Sequence, residues 1–214
     1  MNIVIPDYLW LTQWDNIDND ALYNTCINVE TELAKVFPPL QDTSVYGCFT
    51  SVYHDAYNLF SFPCPQLSEL YMNMAKSFGQ ILRPGKYYIR CWVNLFDKGK
   101  NIDWHSHWDA KYKTYHGFYC VNTEGEHESY TDYAVPALIG DQICRIKSKD
   151  GLCVIGKSEY DQHKSSEWLN DGKYRVTIAF DIIPLEALRP EERFTHIDIS
   201  KDFLHNFIPL LIIK

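Results

Sequence analysis

The stretch Trp104-His105-Ser106-His107-Trp108-Asp109 decides how this chain reads. Side chains able to bind a metal occupy alternate positions in it. In an extended strand successive side chains point to opposite faces, so His105, His107 and Asp109 project to one side. Two histidines alone would say little. Here a further histidine, His163, follows in the second half, and Arg175 stands twelve residues after it at the start of a β-rich run.

Working outward, the flanking segments read as strands. Tyr87 to Phe96 is rich in β-branched and aromatic residues, and Asp97-Lys98-Gly99-Lys100 is a turn. A short strand carrying the histidines follows. His116 to Asn122, Ser129 to Val135, Gly151 to Gly156 and Tyr174 to Ile183 are further strands. Strands at this spacing, with turn residues between them, predict a mainly β chain with flanking helices, folded as an antiparallel jelly roll or barrel. His163 falls in the polar run Asp161 to Ser166, read as a loop.

Two helices precede the strands. Asp18, Asn19 and Asp20 offer a cap, and apolar residues from Ala21 to Val36 approximate helical spacing, so 19–36 is one helix, ended by Phe37-Pro38-Pro39. Leu67, Leu70, Met74, Phe78 and Ile81 form one stripe of a second helix from Pro65 to Leu82. Residues 40–65 yield no assignment. The 214 residues thus divide within a single domain: 1–84 as helical and irregular support, 85–184 as the β core, and 185–214 as a tail. The apolar end of that tail either packs back on the core or takes part in a subunit contact, as in a homodimer.

Composition excludes some functions. A formal net charge of −8 disfavours nucleic acid as a partner, since phosphate contacts need clustered Lys and Arg. No apolar run is long enough to span a bilayer, and the N-terminus lacks the pattern of a secretion signal. Seven scattered cysteines without a C-x-x-C pair suggest neither a disulfide framework nor a structural zinc site. Cys91, Cys120 and Cys153 lie in apolar strands and read as buried free thiols, which fits a reducing cytoplasm.

Taken together, His105, His107, Asp109, His163 and Arg175 fit a mononuclear iron site that also binds an anionic cosubstrate. Two imidazoles and a carboxylate hold Fe(II) on one face and leave the other positions open. The planar fork of an arginine grips the far carboxylate of a ketoacid. Thr177 shares the face of Arg175 and adds a hydroxyl. His116 reads as structural, with a supporting role at the metal as the alternative. His54, His127, His196 and His205 read as surface or structural residues.

The segments Trp92-Val93-Asn94-Leu95-Phe96-Asp97-Lys98-Gly99, Trp104-His105-Ser106-His107, His116-Gly117-Phe118-Tyr119-Cys120-Val121-Asn122, His163 and Arg175-Val176-Thr177-Ile178-Ala179-Phe180 resemble, in order, a family of 2-oxoglutarate- and Fe(II)-dependent oxygenases common in marine bacteriophages and bacteria and related to the prolyl hydroxylases. The likeness covers about residues 85–184. It implies a double-stranded β-helix, a cupin-like jelly roll, with Fe(II) at one mouth and 2-oxoglutarate and O₂ as cosubstrates, yielding succinate, CO₂ and in most cases a hydroxylated product. The chain departs from the family pattern at His116, where a serine is usual, and at Trp108, where a proline is usual.

Two ligand sets remain open. The family's spacing from Gly99 selects His105, with His107 in the carboxylate position. Ligand chemistry selects His107-Trp108-Asp109, an intact H-x-D. His107 and His163 belong to both. The rivals to an oxygenase are a metal-dependent hydrolase with Asp109 or Glu159 as base, and a non-enzymatic jelly-roll binding module. Trp104, Trp108, Tyr112 and Tyr115 either line a pocket for a peptide, protein side chain or small-molecule substrate or are ordinary packing.

Overall fold

Two ten-residue strands rich in β-branched and aromatic side chains, β2 (Tyr87–Phe96) and β8 (Arg175–Pro184), lie antiparallel over their whole length, from Tyr87 opposite Pro184 to Phe96 opposite Arg175. They form the middle of the computed structural model, which describes residues 6–36, 57–107, 110–135, 142–160, 162–188 and 206–212. The other elements are β1 (Leu9–Gln13), α1 (Asn19–Val36), α2 (Pro65–Ile81), β3 (Tyr115–Asn122), β4 (Tyr130–Ala134), β5 (Ile143–Lys147), β6 (Leu152–Lys157), β7 (His163–Ser165) and β9 (Ile208–Leu210). One sheet has the order β1-β6-β3-β8-β2-β9 and a second has the order β5-β4-β7, and every pairing within them is antiparallel.

Alternation along the central strands separates two environments. Ile89, Cys91 and Val93 of β2, Tyr119 and Val121 of β3, and Val176, Ile178, Phe180 and Ile182 of β8 join the buried residues of both helices in one core cluster. The predicted stripe of α2 is this contact: Leu67, Leu70, Met74 and Phe78 are buried, and the Phe78 ring lies 5.6 Å from that of Phe180. Asp18 caps α1 as expected, its Oδ1 accepting from the Ala21 amide at 2.9 Å. Gly117 has to be glycine here, because a Cβ would collide with the Val154 carbonyl oxygen and lie 2.6 Å from the Phe180 ring.

The opposite face of the sheet is graded in rows set by register. Arg90, Asp181 and His116 form one row, Trp92, Ala179 and Phe118 the next, and Asn94, Thr177 and Cys120 a third, with Phe96 and Arg175 beyond. Phe118, Cys120 and Val154 from this sheet meet Tyr133, Cys144 and Ile146 of the smaller sheet in a second core cluster.

The element boundaries of both helices and of β2, β3, β4, β6 and β8 fall within a residue or two of those expected. Three expectations change. No strand carries His105 and His107; the segment makes one isolated bridge, His105 to His163. His163 sits in β7 rather than in a loop, paired opposite Tyr133 of β4. The strand β5, whose exposed and buried residues alternate, was not anticipated. The apolar tail packs on the core, with β9 pairing along the first residues of β2. Among the described residues no helix is long and apolar enough to cross a membrane.

One buried carboxyl makes the helix–sheet contact sensitive to pH. Glu30 of α1 is 3% exposed, and its Oε1 accepts from the Tyr57 hydroxyl at 2.8 Å, which itself accepts from the Val93 amide at 2.8 Å. Burial raises its pKa to about 8, against a smaller lowering by that hydrogen bond. The folded chain therefore holds a proton that the unfolded chain releases above its ordinary value of 4.5. The stability this group confers is complete below that value and is lost progressively as pH rises to about 8. Urea unfolding at several values between pH 5 and pH 8 should show this decline, and Glu30→Gln should flatten it.

Candidate metal centre

The site begins with the turn after β2. Gly99 takes φ +80°, a conformation natural to glycine, and starts a series of backbone contacts to the segment around β7. The Gly99 amide donates to the Trp168 carbonyl at 2.8 Å and the Trp168 amide returns a bond to Lys100 at 2.9 Å. Ser165 donates to the Ile102 carbonyl at 2.9 Å, and the Ile102 amide donates to Ser165 Oγ at 2.7 Å. His105 and His163 then exchange both amide-to-carbonyl bonds at 3.0 Å. Phe96, Trp168 and Ile102 pack together beneath this seam. The segment is thus pinned along its length without being a regular strand.

This arrangement brings His105, His107 and His163 together, each with one ligand atom, all within 4.8 Å of one another. The ring centroids of His105 and His163 are 4.3 Å apart, and those of His107 and His163 5.4 Å. Asp109, the carboxylate of the alternative H-x-D set, lies outside the described residues, as do Trp108, His54, His196, His205 and Cys48. His127 is exposed.

The sequence reading undervalued His116. It is 2% exposed, its ring stacks on His107 at 3.7 Å, and it lies 4.5 Å from His163. A second metal-capable group is formed by His107, His116 and Asp181. Asp181 is fully buried, its Oδ1 lying 3.0 Å from His107 Nδ1 and 3.9 Å from His116 Nδ1, and Arg90 Nη2 donates to its Oδ2 at 2.7 Å. No motif spacing marks Asp181 or Arg90. The available signal was the parity of β8, which puts Asp181 on the face of Arg175, together with its charge within the apolar run Ile178 to Ile183. Tyr133, 5.2 Å from His163, and Trp92, 6.0 Å from His107, close the walls.

Two of the imidazoles, His105 and His116, are driven towards their neutral form. Burial, then the neighbouring His107, lowers the pKa of His105 to about 4. His116 is pushed well down, first by burial and then by His107, His163 and His105. Neutral imidazole is the form that ligates metal. His105 Nδ1 sits 2.7 Å from the Asp103 carbonyl oxygen. A carbonyl only accepts, so Nδ1 carries the proton and Nε2 keeps its lone pair. Neither nitrogen of His116 has a hydrogen-bond partner among the described residues. Buried polar atoms are seldom left so, and this one marks a cluster built around a group the polypeptide does not supply. Three nitrogen donors at this separation fit a divalent first-row transition metal.

Arg175 is 1% exposed and faces the space between the sheets. It donates to the Ser166 carbonyl at 3.2 Å and to Ser148 Oγ at 3.3 Å, and lies over the Phe96 ring at 4.9 Å. It is tied to the segment that carries His163. Thr177 is buried one row nearer to them. Of the aromatics read as pocket lining, Tyr112 is buried, Tyr115 packs against Trp10 at 6.2 Å, and Trp104 is 37% exposed.

No family model matches the chain, and no curated protein matches it in sequence. Solved structures do match in fold. A Pseudomonas putida prolyl-4-hydroxylase superposes with a TM-score of 0.58 at 10% identity, over 83% of this chain and 92% of that one. A viral collagen prolyl hydroxylase from Paramecium bursaria Chlorella virus-1, solved as a 2OG complex, gives 0.53 at 14% identity, over 83% and 97%. The non-heme monooxygenase ThoJ, as a nickel complex, gives 0.56 at 13% identity, over 94% and 90%. The fold is therefore the jelly roll that the sequence implies, two facing antiparallel sheets with helices on one flank.

The histidine geometry has a direct consequence. Co(II) or Zn(II) should bind the purified protein at one site, as read by calorimetry. His105→Ala and His163→Ala should each weaken binding at least ~10-fold, the scale of losing a ligand or its support. His127→Ala, on the exposed surface, should leave it unchanged.

Proposed function

We propose that the chain is an Fe(II)- and 2-oxoglutarate-dependent oxygenase. The observation that carries this reading is the convergence of three imidazoles, His105, His107 and His163, inside a jelly roll whose central strand also supplies a buried arginine. The three histidines would hold the metal. When bound, iron supplies the redox chemistry by which O₂ is used to oxidise 2-oxoglutarate to succinate and CO₂ and to hydroxylate a substrate. The chain's own residues bind, orient and exclude water.

Arg175 would grip the far carboxylate of 2-oxoglutarate, with Thr177 donating its hydroxyl nearby. The guanidinium is anchored through Ser166 to the segment bearing His163, so its position and that of the metal are set by one piece of backbone. Trp92, Phe118 and Tyr133 keep the cavity wall apolar and dry, which strengthens the charge contacts inside it. The hydrolase alternative gains no support from Glu159, which is exposed and accepts from the Tyr160 hydroxyl at 3.0 Å.

For the substrate, we favour a protein or peptide side chain over a small molecule. Exposed Trp104 adjoins His105, and Lys164 Nζ lies 5.0 Å from its ring, an aromatic and cationic ledge beside the site. Two of the structurally similar proteins are prolyl hydroxylases. The six described cysteines are free thiols, which suits a reducing compartment such as the cytoplasm.

Anaerobic titration of the wild-type protein with Fe(II) and 2-oxoglutarate should produce a weak visible charge-transfer band. Arg175→Ala should weaken 2-oxoglutarate binding by at least ~10-fold, since a hydrogen bond to a charged group is worth roughly 1.5–3 kcal/mol. Absence of the band, with no succinate formed in air from 2-oxoglutarate, overturns the reading.

A further inference from the structure

The trio of imidazoles contains no carboxylate, yet a fully buried one stands directly behind it. We propose that Asp181 is a positioning residue for the metal centre, holding His107 through its Nδ1 side so that Nε2 presents its lone pair to the ion, and that Arg90 fixes Asp181 in turn. The inference rests on the metal site proposed above and adds to it a residue that no linear motif reveals.

Three observations carry it. First, the His107 ring is in contact with the row of residues behind it: it stacks on His116 at 3.7 Å, and Asp181 Oδ1 approaches its Nδ1 to 3.0 Å. A small rotation of the imidazole about its χ2 bond would align an Nδ1 proton with that oxygen. Second, the carboxylate is immobile. Arg90, Asp181 and His116 stand in register on three adjacent strands, and Arg90 Nη2 holds Oδ2 at 2.7 Å. Arg90 is itself wedged against Trp92 at 5.2 Å and Phe207 at 5.9 Å. One oxygen thus faces the arginine and the other faces the histidines. Third, the neighbouring ligand is built alike: the Asp103 carbonyl takes the Nδ1 proton of His105 at 2.7 Å.

The chemistry follows from the tautomers of imidazole. A neutral ring has one N–H and one lone pair, and an acceptor at one nitrogen leaves the other for the metal. A carboxylate in that place also makes the ring more basic and brings negative charge towards a centre whose three ligands are imidazoles. Direct ligation by Asp181 is the competing arrangement, since His107, His116 and Asp181 also form a metal-capable group. The shorter contact to Nδ1 and the hold of Arg90 favour the positioning role.

The test uses the full chain labelled with ¹⁵N-histidine and loaded with Zn(II), read by long-range ¹H–¹⁵N spectra and by Zn(II) affinity. The expected wild-type pattern has His105, His107 and His163 bound to zinc, with His107 protonated at Nδ1 and ligating through Nε2. Asp181→Asn, which keeps a weaker acceptor, should shift the His107 Nδ1–H resonance and weaken Zn(II) binding a few-fold. Arg90→Met/Asp181→Leu removes both charges and so leaves no lone buried ion to unfold the protein. It should lose the Nδ1–H signal and weaken binding 10- to 100-fold, with an unchanged far-ultraviolet circular dichroism spectrum. The positioning role is overturned if His107 ligates through Nδ1, if Asp181→Asn abolishes binding outright, or if the folded double variant matches wild type in spectrum and affinity. A wild-type chain that binds no Zn(II) through these histidines overturns the metal reading itself, and the positioning role with it.

Discussion

The pair of backbone hydrogen bonds between His105 and His163, each 3.0 Å long, is the constraint on which the centre depends. It joins an irregular segment between β2 and β3 to the edge of the smaller sheet. A single exchange of this kind is worth little, since one hydrogen bond nets about 1 kcal/mol. It is the end of a seam that starts at Gly99 and runs through Ile102, and Phe96, Trp168 and Ile102 bury apolar surface beneath it. The seam fixes the distance between two imidazoles far apart in sequence, which the helices and the outer core cannot do.

Once assembled, the cluster is limited by electrostatics. Four imidazoles packed within a few ångströms cannot all be protonated, and burial already disfavours the charged form. His105 and His116 are accordingly driven towards neutrality. A cluster of imidazole nitrogen donors has its complement in a metal cation. The two arginines facing the same interior are treated differently. Arg90 is closed into an ion pair with Asp181, whereas Arg175 rests against a carbonyl, a hydroxyl and an aromatic ring. The first arrangement suits a structural support, and the second ties the guanidinium to the residue that follows β7.

The fold was legible because its pattern is local. The 3.6-residue stripe on α2 and the aromatic and β-branched runs of β2 and β8 each declare their partner face, and the structure matches them closely. The convergence of His105, His107 and His163 was legible too, though the reason given for it was incomplete. Alternation along a strand was expected to align the first two, whereas pinning to β7 does so without a regular strand. His163 looked like a loop residue because its strand is three residues long and polar, and tertiary pairing with β4 outweighs propensity there. His116, Asp181 and Arg90 were out of reach for a different reason: their association is set by the register of three strands, and register is a long-range property that spacing along one strand does not encode.

That same register explains how one strand can serve both ends of the site. On β8 the odd-numbered residues Arg175, Thr177, Ala179 and Asp181 face the interior, while Val176, Ile178, Phe180 and Ile182 pack beneath the helices. Arg175 and Asp181 are separated by six residues, about 20 Å at the usual rise of an antiparallel strand. The spacing between the guanidinium proposed for the cosubstrate and the carboxylate behind the metal is therefore a backbone length, independent of any loop. A slip of one residue between β8 and either neighbour would carry Phe180 inward and Asp181 into the helix interface, exposing apolar surface on one side and burying a charge without Arg90 on the other. The outer core thereby enforces the inner geometry: Phe78 against Phe180, with Gly117 leaving room for that ring, holds β8 in the one register that lines up Arg90, Asp181 and His116.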